Sequence, residues 1–217
     1  MLESDDGTGP EEKKFMQVDA TDKLRSVRDD VIQCTQCDLY KTRKNPVIGY
    51  GNHNADIMFV GEAPGEEEDK QALPFVGAAG HVLDKLLKDI DLKREDIYIC
   101  NTVKCRPPMN ADPTDEQKNE CLSYLTRQIE AIKPKVIVCL GNHAIKTVMS
   151  LLGLEDKVDK ISVIHGMVFD SDPAIMDVKV MPLYHPAAML HNPPLATTLR
   201  HDFKKLQTVV TGQQQLL

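Results

Sequence analysis

At 217 residues the chain is long enough for one full-sized domain with a sizeable core, and its 41% hydrophobic content is that of a globular protein. No apolar run approaches the ~20 residues of a membrane span, which argues against a membrane partner. The net charge of −7 weighs against a nucleic-acid partner gripped over a broad surface. Part of that excess lies in the first residues and in the run Glu66-Glu67-Glu68-Asp69, so a small docking patch stays compatible with the charge.

The opening stretch "MLESDDGTGPEEKK" is acidic, carries Gly and Pro, and lacks the charged-then-apolar order of a signal peptide. The reading is a flexible tail over 1–18, one domain over 19–211, a short tail over 212–217, and a cytoplasmic location. "ATDKLRSVRDDVIQC" has helical apolar spacing at Leu24, Val27 and Val31, so a helix leads into Cys34. "ADIMFVG", "DIYICNTV", "KVIVCLG" and "VKVMPLY" are short Ile- and Val-rich runs ending at Gly, Pro or polar residues, as buried strands do. Amphipathic helices fit between and after them: "AAGHVLDKLLKDI", "TDEQKNECLSYLTRQIEAI", "NHAIKTVMSLLG" and a final "ATTLRHDFKKLQTVV". "ISVIHGMVFD" reads as a small hairpin before the last strand. Strand alternating with helix predicts an α/β fold, a three-layer α/β/α sandwich around a short, mainly parallel four-stranded sheet.

Six cysteines in a chain with no secretion signal are not expected to be structural disulfides. Cys100 and Cys139 sit inside apolar runs and read as small buried hydrophobes. Cys34, Cys37, Cys105 and Cys121, separated by 2, 67 and 15 residues, remain as a ligand set. That spacing suits a four-cysteine zinc site and an iron–sulfur cluster alike, whereas a thioredoxin-like redox pair is the weakest reading.

In a parallel sheet the ligand crevice lies outside the carboxyl ends of the strands. Three loops therefore share one rim: "GEAPGEEEDKQALPF", "NTVKCRPP" and "HPAAMLHNPP"; the loop "GNH" is too short to add much. They present Asn101, His185 and Phe75. An amide, an imidazole and an aromatic ring on one rim suit a flat heterocycle whose edge is read and whose face is covered. An Asn amide pairs with a carbonyl beside an N–H, which is the edge of uracil and not of cytosine. Lys104 and Arg106 stand on the same rim, where they are expected to meet phosphates.

"GEAPGEEEDKQALPFVGAAG", "NTVKCRPP" and "LYHPAAML", with the four cysteines interleaved, closely resemble the family 4 (thermostable-type) uracil-DNA glycosylases, from about Lys23 to Val209. The resemblance implies a repair enzyme, acting as a monomer on single- and double-stranded DNA, that hydrolyses the N-glycosidic bond of deoxyuridine and leaves an abasic site. It implies a 4Fe–4S cluster on Cys34, Cys37, Cys105 and Cys121. It implies that His185 donates to uracil O2, Asn101 reads O4 and N3–H, and Phe75 stacks on the ring. Backbone around Glu62 and Ala63 lines the pocket, and Glu68 stands where a thymine methyl would be. The duplex wedge, often Leu in relatives, is Met189 here, followed by Leu190. The first motif has Glu62-Ala63-Pro64 and no Asp before Asp69, so water is either positioned by backbone and Glu62 or needs little activation. Two other readings are a non-catalytic iron–sulfur or zinc DNA-binding accessory protein and a family 5 type glycosylase. The second is disfavoured because that type usually carries an apolar residue where Glu62 stands.

Overall fold

The structure, a computed structural model, describes residues 19–211; the tails read at 1–18 and 212–217 lie outside the described residues. In chain order the elements are α1 (Ala20–Gln33), β1 (Tyr50–Gly51), β2 (Ile57–Gly61), α2 (Glu66–Gln71), α3 (Ala78–Lys88), β3 (Tyr98–Asn101) and α4 (Asp115–Ile132), followed by β4 (Val136–Leu140), α5 (Asn142–Leu151), α6 (Ile161–Ile164), β5 (Phe169–Asp170), β6 (Lys179–Leu183), α7 (Ala188–His191) and α8 (Leu195–Thr211). The sheet order is β1-β3-β2-β4-β6-β5. The four inner strands are parallel, as expected, and lie where the apolar runs put them.

Side chains alternate across the strands, so one sheet fills two cores. Met58, Val60, Cys100, Ile137 and Cys139 pack with Leu125, Ile129, Ile145 and Val148 of α4 and α5. Ile57, Phe59, Ile99, Val138 and Met181 pack with Leu83 and Leu87 of α3 and Leu199 and Phe203 of α8. Both faces are covered, which is why the strands read as continuous apolar runs. Helix α1 buries Leu24, Val27 and Val31, starts where the Asp19 carboxylate accepts from the Asp22 N–H, and ends at Cys34. Helix α4 starts with a capping box between Thr114 and Gln117.

Two expectations are corrected. The sheet has six strands rather than four, because β1 and β5 add antiparallel edges of two residues each, too short to leave a periodic signal. "ISVIHGMVFD" is not a hairpin: its first four residues make the helical turn α6, and only Phe169–Asp170 pairs, with β6.

Helix α3 sits tight against the loop before it. A methyl group at Gly80 would come within 1.7 Å of the Phe75 carbonyl oxygen. Alanine is the better helix former by up to ~1 kcal/mol, but overpacking backbone typically costs about 1–3 kcal/mol. Gly80→Ala is therefore expected to lower stability in urea unfolding. A raised midpoint would show that α3 is free to move away from the loop.

Candidate active site

The carboxyl ends of β2 and β3 lie side by side, with Gly61 paired to Asn101. The Thr102 N–H donates to the Gly61 carbonyl (2.9 Å), and the Thr102 hydroxyl and Val103 N–H donate to the Glu62 carbonyl (2.7 and 2.9 Å). The chain leaving β2 is thus held by the chain leaving β3. Asn101 is 2% exposed, and its side chain closes the end of a cavity of about 670 Å³.

Phe75 forms a wall of this cavity from the left-handed region of backbone space (φ 54°). A non-glycine residue there is costly unless its surroundings hold it. Arg94 supplies the hold: its guanidinium donates to the Pro74 carbonyl (3.0 Å) and to the Phe75 carbonyl, and pairs with Asp84 (2.5 Å). Glu68, on α2, accepts from the backbone N–H groups of Val76 and Gly77 (both 2.8 Å), which ties the two ends of the same loop.

His185 follows β6, its ring stacked on Phe75 with centroids 5.6 Å apart and planes 30° apart. The Ala187 N–H lies 3.2 Å from Nδ1. A backbone amide can only donate, so Nδ1 accepts and the neutral ring carries its proton on Nε2. Burial pulls the His185 pKa down to about 4, with the Glu68 charge opposing weakly, so the ring is neutral at physiological pH. Gly141 (φ 87°) brings the turn after β4 so close that a methyl there would lie 3.3 Å from His185 Cβ.

That turn contributes more than its length suggests. His143 Nε2 lies 3.7 Å from Glu62 Oε1 and 3.5 Å from Asp112 Oδ2. Burial raises the Glu62 carboxyl above the ordinary range; His143 opposes the shift and Asp112 adds to it. Asn110, Asp112 and His191 also line the cavity, and sequence reasoning missed them. The run "MNADP" offered one signal, since Met109 and Asn110 both take left-handed backbone (φ 55°) and turn the loop back over the rim. All six residues read as uracil-binding, namely Glu62, Ala63, Glu68, Phe75, Asn101 and His185, line this one cavity.

Of the four residues read as DNA-binding, Arg106 stays on the rim, donating to the Asn110 side chain (2.7 Å). Lys104 does not. It is 1% exposed, and its ammonium donates to the Asn101 carbonyl and the Gln128 side-chain oxygen (both 2.6 Å), out of reach of any phosphate. Met189 is partly buried against the core, whereas Leu190 is 49% exposed.

Cys34, Cys37, Cys105 and Cys121 line a second, small pocket. Arg43 donates to the Cys105 sulfur (3.0 Å) and to the carbonyls of Ile32 (2.9 Å) and Cys34 (3.2 Å). Among the described residues, the one trio of potential ligand atoms within 4.8 Å of one another is Glu62, Asp112 and His143, so no three of these sulfurs are that close. Burial pushes the thiols of Cys100 and Cys139 up, as befits cysteines that only fill the core.

Comparison with known proteins agrees with this geometry. The family model of the Uracil DNA glycosylase superfamily matches residues 48–207. The type-4 uracil-DNA glycosylase of Archaeoglobus fulgidus is 46% identical over 196 residues, spanning 90% of this chain and 98% of that protein. The enzymes of the same name from Sulfurisphaera tokodaii and Saccharolobus solfataricus are 45% and 43% identical. They cover 86% and 88% of this chain, and the matches span 84% and 88% of those proteins. From the match across most of its length, the chain belongs to the uracil-DNA glycosylase superfamily, in its type-4 branch.

Proposed function

We propose that this protein excises uracil from DNA by hydrolysing the N-glycosidic bond of deoxyuridine, as a first step of repair. The observation that carries the reading is the meeting of the Asn101 amide, the Phe75 ring and a neutral His185 in one cavity. Breaking the bond puts negative charge on uracil and positive charge on the sugar, so the site must stabilise a leaving anion. With Nδ1 occupied by the Ala187 N–H, Nε2–H of His185 is the donor for uracil O2. A neutral donor strengthens its bond as the oxygen gains charge and leaves no buried cation when the site is empty. Asn101 pairs with O4 and N3–H, and cytosine, with donor and acceptor reversed, leaves those groups unsatisfied at ~1–3 kcal/mol each. Glu68, pinned by two backbone donors, stands against the C5 methyl of thymine. Glu62, with its raised pKa, orients the water.

Base flipping costs a few kcal/mol of unstacking, which an inserted apolar side chain offsets. Of the two residues read as the wedge, the exposed Leu190 is the one free to enter a duplex. The substrate is single- and double-stranded DNA, and the protein acts as a monomer in the cytoplasm. None of its described helices is long and apolar enough to cross a membrane.

The four cysteines are proposed to hold a 4Fe–4S cluster. Four cysteines converging on one small pocket supply the tetrathiolate set that such a centre needs. The chemistry such a cluster supplies is cross-linking: it joins the end of α1, the loop after β3 and the first half of α4.

Four outcomes are expected. His185→Ala lowers the single-turnover rate by ~10²–10³, with DNA affinity and melting temperature changed far less; parallel loss of all three would reduce His185 to a packing residue. The same variant tests the ring's neutrality. The unfolded chain takes up this proton below pH ~6.5, the folded chain only near 4, so stability falls as pH drops between those values. His185→Ala should flatten that slope. Leu190→Ala is expected to slow excision from duplex more than from single strands, where no stack opens, and Met189→Ala to act mainly through stability; the reverse pattern would make Met189 the wedge. Protein purified without oxygen should be brown, and Cys34→Ala or Cys121→Ala should lose colour and folding yield while Cys100→Ala and Cys139→Ala keep both. A colourless protein with stoichiometric zinc would defeat the cluster.

A further inference from the structure

We propose that Lys104 and Arg43 are the internal counter-charges of the four-cysteine centre, and that Lys104 fastens that centre to the base-reading end of β3. The proposal rests on the reading of the cysteines as the ligands of an anionic metal centre.

The starting observation is a buried cation with neutral partners. Lys104 is 1% exposed, and its ammonium donates to the Asn101 carbonyl and to Gln128 Oε1, each at 2.6 Å. The Gln128 amide is oriented by two bonds of its own, from Nε2 to the Ile48 carbonyl (2.9 Å) and to the Tyr98 hydroxyl (3.1 Å). Its oxygen, not a carboxylate, is therefore what meets the ammonium. Among the described residues no carboxylate stands within ion-pairing distance of Lys104, and Glu120, the one acidic residue lining the cysteine pocket, is exposed. A buried ammonium without a counter-anion is strongly unfavourable.

An anion at the cysteines would provide the balance. Lys104 lines their pocket and directly precedes the ligand Cys105 in the chain. On the other side Arg43 donates to the Cys105 sulfur and reaches the carbonyls of Ile32 and Cys34, so it spans two of the ligand-bearing segments. Four thiolates around zinc or a resting four-iron cluster make a dianion, and the two cations match it. Lys104 then has two duties, since the residue that lines the cysteine pocket also holds the carbonyl of Asn101 through its ammonium.

The test uses the metal-loaded protein with Lys104→Met and Arg43→Met, reading metal release to a chelator and the midpoint potential of the iron centre. Each variant is expected to lose metal about 10- to 100-fold faster and to shift the midpoint to more negative potential, because a positive charge beside the cluster is gone. Lys104→Arg should restore both. A residue that only filled space would move neither reading. Wild-type release and wild-type potential in both variants would overturn the proposal while leaving the cluster reading intact. A wild-type protein that binds no metal defeats the cluster reading first and this proposal with it. Should Lys104→Met not accumulate, Arg43→Met, at a partly buried position, carries the same readings, and release reports on the proposal whichever metal is bound.

Discussion

At the carboxyl end of β2, Gly61 leaves no room for a side chain. Its Cβ, if present, would lie 2.4 Å from Asn101 Oδ1 and 2.6 Å from the Phe75 ring. The Asn101 amide and the Phe75 ring meet over this one missing methyl group. Parallel pairing of β2 with β3 sets Gly61 opposite Asn101, so the register of the central sheet and the width of the pocket are a single constraint.

Around that point the pocket is built from residues that hold other residues. Phe75 keeps its left-handed backbone because Arg94 binds the carbonyls on either side of the turn and α3 closes against it at Gly80. Glu68 serves twice, as a wall of the cavity and as the acceptor that closes the loop carrying Phe75. Asp69, its buried neighbour, accepts from the Lys44 N–H (2.9 Å) and joins the segment after the CxxC pair to α2. The acidic run Glu66–Asp69 is thus a helix start with two internal anchors rather than a solvated patch, and its placement on the first turn of α2 suits the helix dipole.

Much of this was legible in the sequence, for definable reasons. Inner strands covered on both faces must be apolar throughout, so the four runs stood out. The crevice rule then put Glu62, Phe75, Asn101 and His185 on one rim although they are far apart in the chain. What stayed hidden depended on tertiary contacts with no local signature. Lys104 sits in the polar run "VKCRPP", and nothing beside it distinguishes a lysine turned inward from one turned to solvent. Arg94 lies in a charged loop, so its hold on Phe75 shows only once α3 and β3 are folded. His143 was discounted because its loop is short, yet the first turn of α5 sets it beside Glu62 and Asp112. Which of Met189 and Leu190 is exposed is set by the single helical turn α7, whose faces no longer pattern reveals.

The two edge strands have a consequence unrelated to uracil. An open sheet ends in rows of unsatisfied amide and carbonyl groups that can template the addition of a foreign strand. Here β1 and β5 are two residues each and run against their neighbours, so each flank of the sheet offers a ladder too brief to recruit an extended chain. With such blunt flanks, colloidal stability depends on the shape of the sheet as well as on the excess of negative charge.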